Sequence, residues 1–222
     1  MRLRHVTGAE ETIAQHPDVL DAEHAPAGSW AEHFGNDHPI CLEIGMGKGR
    51  FVLENAKRYP ENNYIGIEKY ATILLKSLKL AETEYAESRG NVQFLWTNAE
   101  RLGEIFAPDE VDRIYLNFSD PWPKERYAKR RLTSRQFLKR YEGILKDGGL
   151  LEFKTDNRAL FDFSLEEIRE ASAWELLAVT TDLHKDPVLS EGNIMTEYEQ
   201  KFSAQGNPIC KLIAAYTKKA EK

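Results

Sequence analysis

Ile40-Cys41-Leu42-Glu43-Ile44-Gly45-Met46-Gly47-Lys48-Gly49-Arg50 joins an apolar run of strand length to a glycine-rich turn. The residues that follow, Arg50 to Arg58, read as a helix that stops before Pro60. A short apolar run ending in glycines suits a strand buried on both faces of a parallel sheet. Glycine has no Cβ and tolerates positive φ, so such a turn lets backbone come close to a ligand at the start of a helix. A purely structural tight turn would show the same spacing.

Working outward, Tyr64-Ile65-Gly66-Ile67 is a second strand of the same kind. Ala71, Leu74, Leu75, Leu78, Ala81 and Tyr85 then recur at spacings of three and four, which predicts an amphipathic helix ending near Gly90. Val92 to Trp96 and Val111 to Leu116 supply the third and fourth strands. A helix over 134–145 leads through the turn signal Lys146-Asp147-Gly148-Gly149 into a fifth strand, Leu150 to Lys154. Residues 158–171 look helical, and 174–180 and 209–216 look extended. Strands alternating with helices predict an α/β fold: an open, doubly wound, Rossmann-like sheet, mostly parallel, with its ligand at the carboxyl ends of the strands. Residues 1–37, broken by Pro17, Pro26 and Gly28, read as a partly irregular arm with room for one short helix, and 38–217 as the domain proper.

The 222 residues, 41% of them hydrophobic, can bury one full-sized core. No run approaches the roughly 18 apolar residues of a membrane span, and Met1-Arg2-Leu3-Arg4-His5-Val6-Thr7-Gly8 lacks the apolar stretch of a secretory signal. A cytoplasmic protein with no membrane attachment is expected. Cys41 and Cys210 sit far apart in apolar surroundings without C-x-x-C or Cys/His ligand spacing, which predicts buried strand thiols and no metal site.

A net charge of −6 argues against wrapping nucleic acid over the whole surface. Distribution matters more than the total. Between Lys124 and Arg140 eight basic residues face one acid, Glu125, so that segment carries +7 and the remainder −13. A focused basic stripe on an acidic body suits a polyanion held at one place, although a solvated helix face would carry the same charges.

Two features sharpen the reading of the glycine turn. Its third glycine, Gly49, follows Gly47 by two residues, unlike the ending of a dinucleotide fingerprint, and Glu43 stands at the strand end. A carboxylate there would repel a pyrophosphate but favour the ammonium and sulfonium charges of S-adenosyl-L-methionine. Glu68, at the end of the second strand, lies where an acid accepts hydrogen bonds from ribose hydroxyls in sheets of this type. Asn98, after the third strand, is either a turn residue or an adenine ligand. This set resembles the class I S-adenosylmethionine-dependent methyltransferases, which implies seven strands with an antiparallel last strand at 209–216.

Asn117-Phe118-Ser119-Asp120-Pro121-Trp122-Pro123-Lys124 follows the fourth strand. Two prolines around a tryptophan stiffen a loop, so that an aromatic face and a carboxylate are presented at low entropic cost. Asp120 to Lys124, then Lys129-Arg130-Arg131-Leu132, Lys154-Thr155-Asp156-Asn157 and Thr196-Glu197-Tyr198-Glu199 closely resemble four blocks of the tRNA (guanine-N7-)-methyltransferase family, in the same order. Tyr127 and Asn98 depart from it, standing where the family often has a histidine and an acid.

The resemblance implies methyl transfer from S-adenosyl-L-methionine to N7 of the guanine at position 46, in the variable loop of tRNA. It assigns Glu43, Gly45, Gly47, Gly49, Glu68, Asn98 and Asp120 to the cofactor, with Asp120 also catalytic. Lys124, Arg126, Lys129, Arg130, Arg131, Asp156, Thr196, Glu197, Tyr198 and Glu199 fall to the substrate, with 126–131 on the RNA backbone. Asp156 and Glu199 have suitable chemistry as acceptors for the N1–H and amino group of guanine. Guanine N7 has a lone pair and no hydrogen at neutral pH, so no general base is expected. An adenine N6 methyltransferase would carry D-P-P-Y where Trp122 and Pro123 stand, and a dehydrogenase is disfavoured by Glu43 and the glycine spacing. A non-catalytic tRNA-binding module would have little use for an intact glycine turn. Monomer and homodimer remain equally open.

Overall fold

The computed structural model describes residues 6–218, so Met1 to His5 of the expected arm lie outside the described residues. The chain divides into two compact units, Met1–Ala107 and Pro108–Lys222.

The first unit runs α1 (Ala9–Ala14), β1 (Val19–Leu20), α2 (Trp30–Phe34), β2 (Ile40–Ile44), α3 (Arg50–Arg58), β3 (Asn63–Glu68), α4 (Ala71–Glu84), β4 (Val92–Trp96) and α5 (Leu102–Ile105). Its strands lie in the order β1-β4-β3-β2, every pair parallel. All residues of β2 and β3 are buried, as strands covered on both faces require. Helix α4 buries Ala71, Leu74, Ser77, Leu78 and Ala81, the stripe that its spacing predicts.

The arm holds more structure than its sequence suggests. Trp30 is fully buried and its indole N–H donates to the Ile105 carbonyl at 2.9 Å. The Gln93 side chain reaches the Asp18 carbonyl at 2.9 Å, and Arg89 pairs with the Asp18 carboxylate. These ties hold Val19 and Leu20 against Phe94 and Leu95 of β4.

In the second unit come β5 (Val111–Asn117), a 3-10 turn (Glu125–Arg130), α6 (Arg135–Glu142), β6 (Leu145–Thr155), α7 (Arg158–Glu170), β7 (Trp174–Thr180), α8 (Glu197–Ser203) and β8 (Cys210–Tyr216). The strand order is β5-β6-β8-β7, with β6 parallel to β5 and β8 antiparallel to both neighbours. The expected turn at 146–149 is an irregularity inside one long strand, since Leu145 pairs with Val111 and Leu150 with Arg113.

The described residues thus contain eight strands, not the seven implied by resemblance. The addition is β1, whose two residues lack the length that makes a strand visible in a hydrophobic pattern. The doubly wound α/β pattern and the antiparallel β8 agree with expectation. Both thiols are buried, Cys41 in β2 and Cys210 at the start of β8. No helix of the described residues is long and apolar enough to cross a membrane.

One close approach fixes the glycine turn over β3. A Cβ on Gly66 would lie 2.3 Å from the Met46 sulfur, and Met46 is itself buried. Gly66→Ala should therefore destabilise the chain by about 1–3 kcal/mol in urea unfolding, the usual cost of overpacking. In a Met46→Ala background the same change should cost under about 0.5 kcal/mol, as expected once the clash is removed. Equal costs in both backgrounds would show that Met46 is not the obstacle.

Candidate active site

In the first unit, the turn after β2 is built from positive-φ glycines, with φ of 76° at Gly45, 59° at Gly47 and 78° at Gly49. Its amides point inward. Gly45 and Met46 both donate to the Ile67 carbonyl, at 2.9 and 3.0 Å, and Gly49 donates to Met46 at 3.0 Å. Gly47 donates to Glu68 Oε2 at 3.2 Å, and its carbonyl accepts from the Ser77 hydroxyl at 2.8 Å. A pyrophosphate site needs such amides free, and here four are spent on the chain itself.

Glu68 ends β3 and is 6% exposed. Its other oxygen accepts from the Tyr70 amide at 2.9 Å. Burial pushes its pKa up, and the amides of Tyr70, Gly47 and Lys69 together with the Lys69 charge pull it back only in part. Each carboxylate oxygen, having two lone pairs, keeps capacity for a ligand hydroxyl. Glu43 is buried at the end of β2. Asn98 is exposed, and its carbonyl oxygen accepts from the Glu100 amide at 2.8 Å, capping the 3-10 turn Ala99–Arg101. Beside it Thr97, absent from the sequence expectations, has a buried hydroxyl with no hydrogen-bond partner among the described residues.

In the second unit the loop after β5 carries two bulky residues in the left-handed region, Phe118 with φ 52° and Trp122 with φ 42°. Each costs about 1–3 kcal/mol and persists only where surroundings over-determine it. Asp120 between them is exposed. The Phe118 ring packs at 4.8 Å on Tyr198, which stacks at 4.1 Å on Phe202. Tyr198 is 42% exposed, and its hydroxyl donates to Asp156 at 3.3 Å. A partly exposed aromatic cluster beside a carboxylate is therefore present at this end of the unit.

The basic run splits into two populations. Lys124, Arg126, Lys129 and Arg130 are exposed and, among the described residues, take part in no ion pair with an acid. Arg130 lies 5.0 Å over the rings of both Trp122 and Tyr127, and Arg126 lies 4.8 Å over Tyr127. Arg131 is held differently from these four. It is 9% exposed, donates to the carbonyls of Pro121 and Trp122 at 3.1 and 3.2 Å, and lies 4.3 Å over Phe163. Arg135 and Lys139 are paired with Glu170 and Glu142.

Glu199 also departs from expectation. It is fully buried, accepts from Lys154 Nζ at 2.6 Å and from Asn193 at 2.7 Å, and has His184 Nε2 at 3.3 Å. Lys154 is 4% exposed and also reaches Asn193 Oδ1 and the Ile194 carbonyl, at 3.1 and 3.0 Å. Thr196 caps α8 by accepting from the Glu199 amide at 3.0 Å, and Glu197 is exposed in its first turn. The Thr-x-x-Glu block is thus first a helix start, with its glutamate turned into the core. Lys154 was legible in principle: a lysine near the end of a strand, beside an apolar residue, needs an acid if it is buried.

A family profile described as "Putative methyltransferase" matches residues 37–212. A tRNA (guanine-N(7)-)-methyltransferase of Lachnoclostridium phytofermentans is 54% identical over 96% of this chain and 98% of its own length. That of Bacillus subtilis is 46% identical over 94% and 96%. The chain belongs to the tRNA (guanine-N(7)-)-methyltransferase family. Among solved structures, the 16S rRNA methyltransferase KamB has a TM-score of 0.66 at 13% identity, covering 88% of this chain and 95% of its own. A 16S rRNA (adenine(1408)-N(1))-methyltransferase from Catenulisporales acidiphilia, solved with cosubstrate SAM, has a TM-score of 0.58 at 14% identity, covering 88% and 93%. These two share the fold.

The methyl donor of this family is S-adenosyl-L-methionine, and the first unit fits it. A Cβ at Gly45 or Gly47 would meet nothing within 4 Å, so the glycine turn borders open space. Two carboxylates and the Thr97 hydroxyl end the three strands beside it, polar partners of the kind that a cationic, hydroxyl-bearing ligand needs.

Two outcomes test this geometry. Because burial raises the Glu68 pKa, the folded state binds that proton more tightly than the unfolded chain does. Wild type should therefore lose stability relative to Glu68→Gln as pH rises from the ordinary carboxylate value of 4.5, with the loss complete above the folded pKa. Urea titrations over that range, giving a flat or opposite difference, would contradict the assigned burial. Separately, Lys154→Met alone should cost about 3–5 kcal/mol, while Lys154→Met with Glu199→Leu should recover most of it. Equal losses in single and double variants would deny the pair its role.

Proposed function

We propose that this chain methylates N7 of the guanine at position 46, in the variable loop of tRNA, by direct attack without a general base. The observation that carries this reading is full-length identity of 54% and 46% to proteins bearing the tRNA (guanine-N(7)-)-methyltransferase name. The exposed cations Lys124, Arg126, Lys129 and Arg130, which among the described residues pair with no acid, support it, because each phosphate they neutralise releases a counterion. The substrate places the reaction in the cytoplasm.

S-adenosyl-L-methionine supplies an electrophilic sulfonium methyl group. Glu43, the turn of Gly45, Gly47 and Gly49, and Glu68 hold it, with Glu68 accepting from the ribose hydroxyls. Asn98 keeps its amide group for the adenine, since its carbonyl oxygen already caps a turn. Lys124, Arg126, Lys129 and Arg130 bind the RNA backbone. Asp156 accepts from the target guanine and Tyr198 offers it a stacking face, beside Thr196 and Glu197 at the start of α8. Glu199 serves the guanine indirectly, by anchoring α8 through Lys154.

Little proton chemistry is needed. Holding the base and the donor in register can be worth about 7–11 kcal/mol. As positive charge moves onto the imidazole half of guanine, Asp120 stabilises it as a fixed carboxylate.

The test is single-turnover methyl transfer to tRNA, with the modified nucleotide located by chemical cleavage at N7-methylguanosine. Cleavage should fall at the variable-loop guanine, and cleavage elsewhere would overturn the assigned position. Asp120→Asn, which keeps an acceptor oxygen, should retain more turnover than Asp120→Ala. Rates should stay flat from about pH 6.5 to 8.5, because guanine N7 has no proton to lose before it attacks. A wild-type rate rising tenfold per pH unit, with both variants equally inactive, would make Asp120 a proton acceptor instead.

A further inference from the structure

The loop that presents Asp120 is poor in means of holding its own shape. Pro121 and Pro123 have no amide hydrogen, so between Asp120 and Lys124 only Trp122 can donate from the backbone, and the groups left to grasp are carbonyls. Successive carbonyls of an extended chain face opposite ways. Here those of Pro121 and Trp122 converge on one guanidinium, because Trp122 takes a φ of 42°. Arg131 supplies the two donors, Nε to Pro121 at 3.1 Å and Nη2 to Trp122 at 3.2 Å.

The far side of that guanidinium is held as well. It lies 4.3 Å over the Phe163 ring of α7, and Arg131 is only 9% exposed. The backbone around it is tied to the same unit: Thr133 meets Ser164 at 2.6 Å, and the Tyr141 hydroxyl donates to the Leu132 carbonyl at 2.8 Å. Arg131 therefore connects a strained loop to a rigid core, whereas its neighbours Lys129 and Arg130 stay exposed.

We propose that Arg131 is a positioning residue for methyl transfer, which locks the Asp120–Pro123 loop in its strained form and makes no phosphate contact. A lysine cannot replace it. Its ammonium is a point charge on a flexible stem, without the planar fork that holds both carbonyls in fixed geometry and without the flat face that lies on Phe163. The proposal rests on the reading of Asp120 as the charge that assists the reaction, and it deepens that reading by naming what fixes the carboxylate.

The experiment compares wild type with Arg131→Lys, Arg131→Met and Lys129→Ala in single-turnover transfer to tRNA, in the salt dependence of the Michaelis constant, and in acrylamide quenching of Trp122. The Trp122 signal is obtained by difference against Trp122→Phe, and far-UV spectra and melting curves establish folding. Arg131→Met keeps side-chain volume and carries the test if Arg131→Lys does not fold. Arg131→Lys should slow the saturated single-turnover rate by about tenfold or more, consistent with loss of orientation. Its log–log salt slope should match wild type, and Trp122 should become more quenchable. Lys129→Ala should differ from it in the salt dependence, lowering the slope by about one on loss of a phosphate contact. A lowered slope with an unchanged rate in Arg131→Lys would overturn the proposal, as would unchanged Trp122 quenching in a folded variant. If wild type produced no N7-methylguanosine in tRNA, the functional reading would fail and the catalytic part of the proposal with it. The quenching comparison would then still decide whether Arg131 braces the loop.

Discussion

A charge withdrawn from water has to be met by fixed partners, and in this chain that requirement sets the position of most of the groups that matter. Lys154 finds three acceptors at 2.6 to 3.1 Å, one of them the carboxylate of Glu199, and the pair thereby docks α8 onto the end of β6. That anchor helps to hold Tyr198 against Phe118, with its hydroxyl at Asp156. Glu68 meets the same requirement with backbone amides, and in accepting from Gly47 it sets the shape of the glycine turn. Such pairs contribute little net stability, because desolvation offsets most of the attraction. What they contribute is geometry.

Much of the scaffold was legible because burial leaves a periodic trace. Strand β2, helix α3 and strand β4 lie at the residues that their patterns indicate, and α4 buries the stripe that spacings of three and four predict. Glu43, Glu68 and the three glycines stand out in the sequence for a related reason: the two acids lie near the ends of strands and the glycines in the turn that follows one. The two-residue β1 was not, since its order comes from Trp30, Asp18 and Gln93, whose partners are far away in sequence. No local pattern encodes such a contact.

The residues of the basic run and of α8 were legible as chemical types but not as orientations. A run of arginines and lysines looks the same whether a guanidinium faces solvent or loops back onto carbonyls, so Arg130 and Arg131 could not be told apart. Glu199 belongs to the same class of ambiguity. At the third position of a helix its side chain could turn outward or inward, and only the lysine on β6 decides. Asn98 caps a turn with its carbonyl oxygen alone, so the turn reading does not exclude a ligand on its amide group.

The brevity of β1 has a consequence for solubility. Its partner β4, Val92-Gln93-Phe94-Leu95-Trp96, is uncharged and rich in the residues that favour cross-strand pairing. Such a segment left uncovered at a sheet edge is a template for association between molecules. Val19 and Leu20 occupy that edge at Phe94 and Leu95, and with only two residues they offer an incoming strand almost no ladder of their own. A short, well-anchored strand at this edge thus covers the middle of β4 while adding almost no new edge of its own.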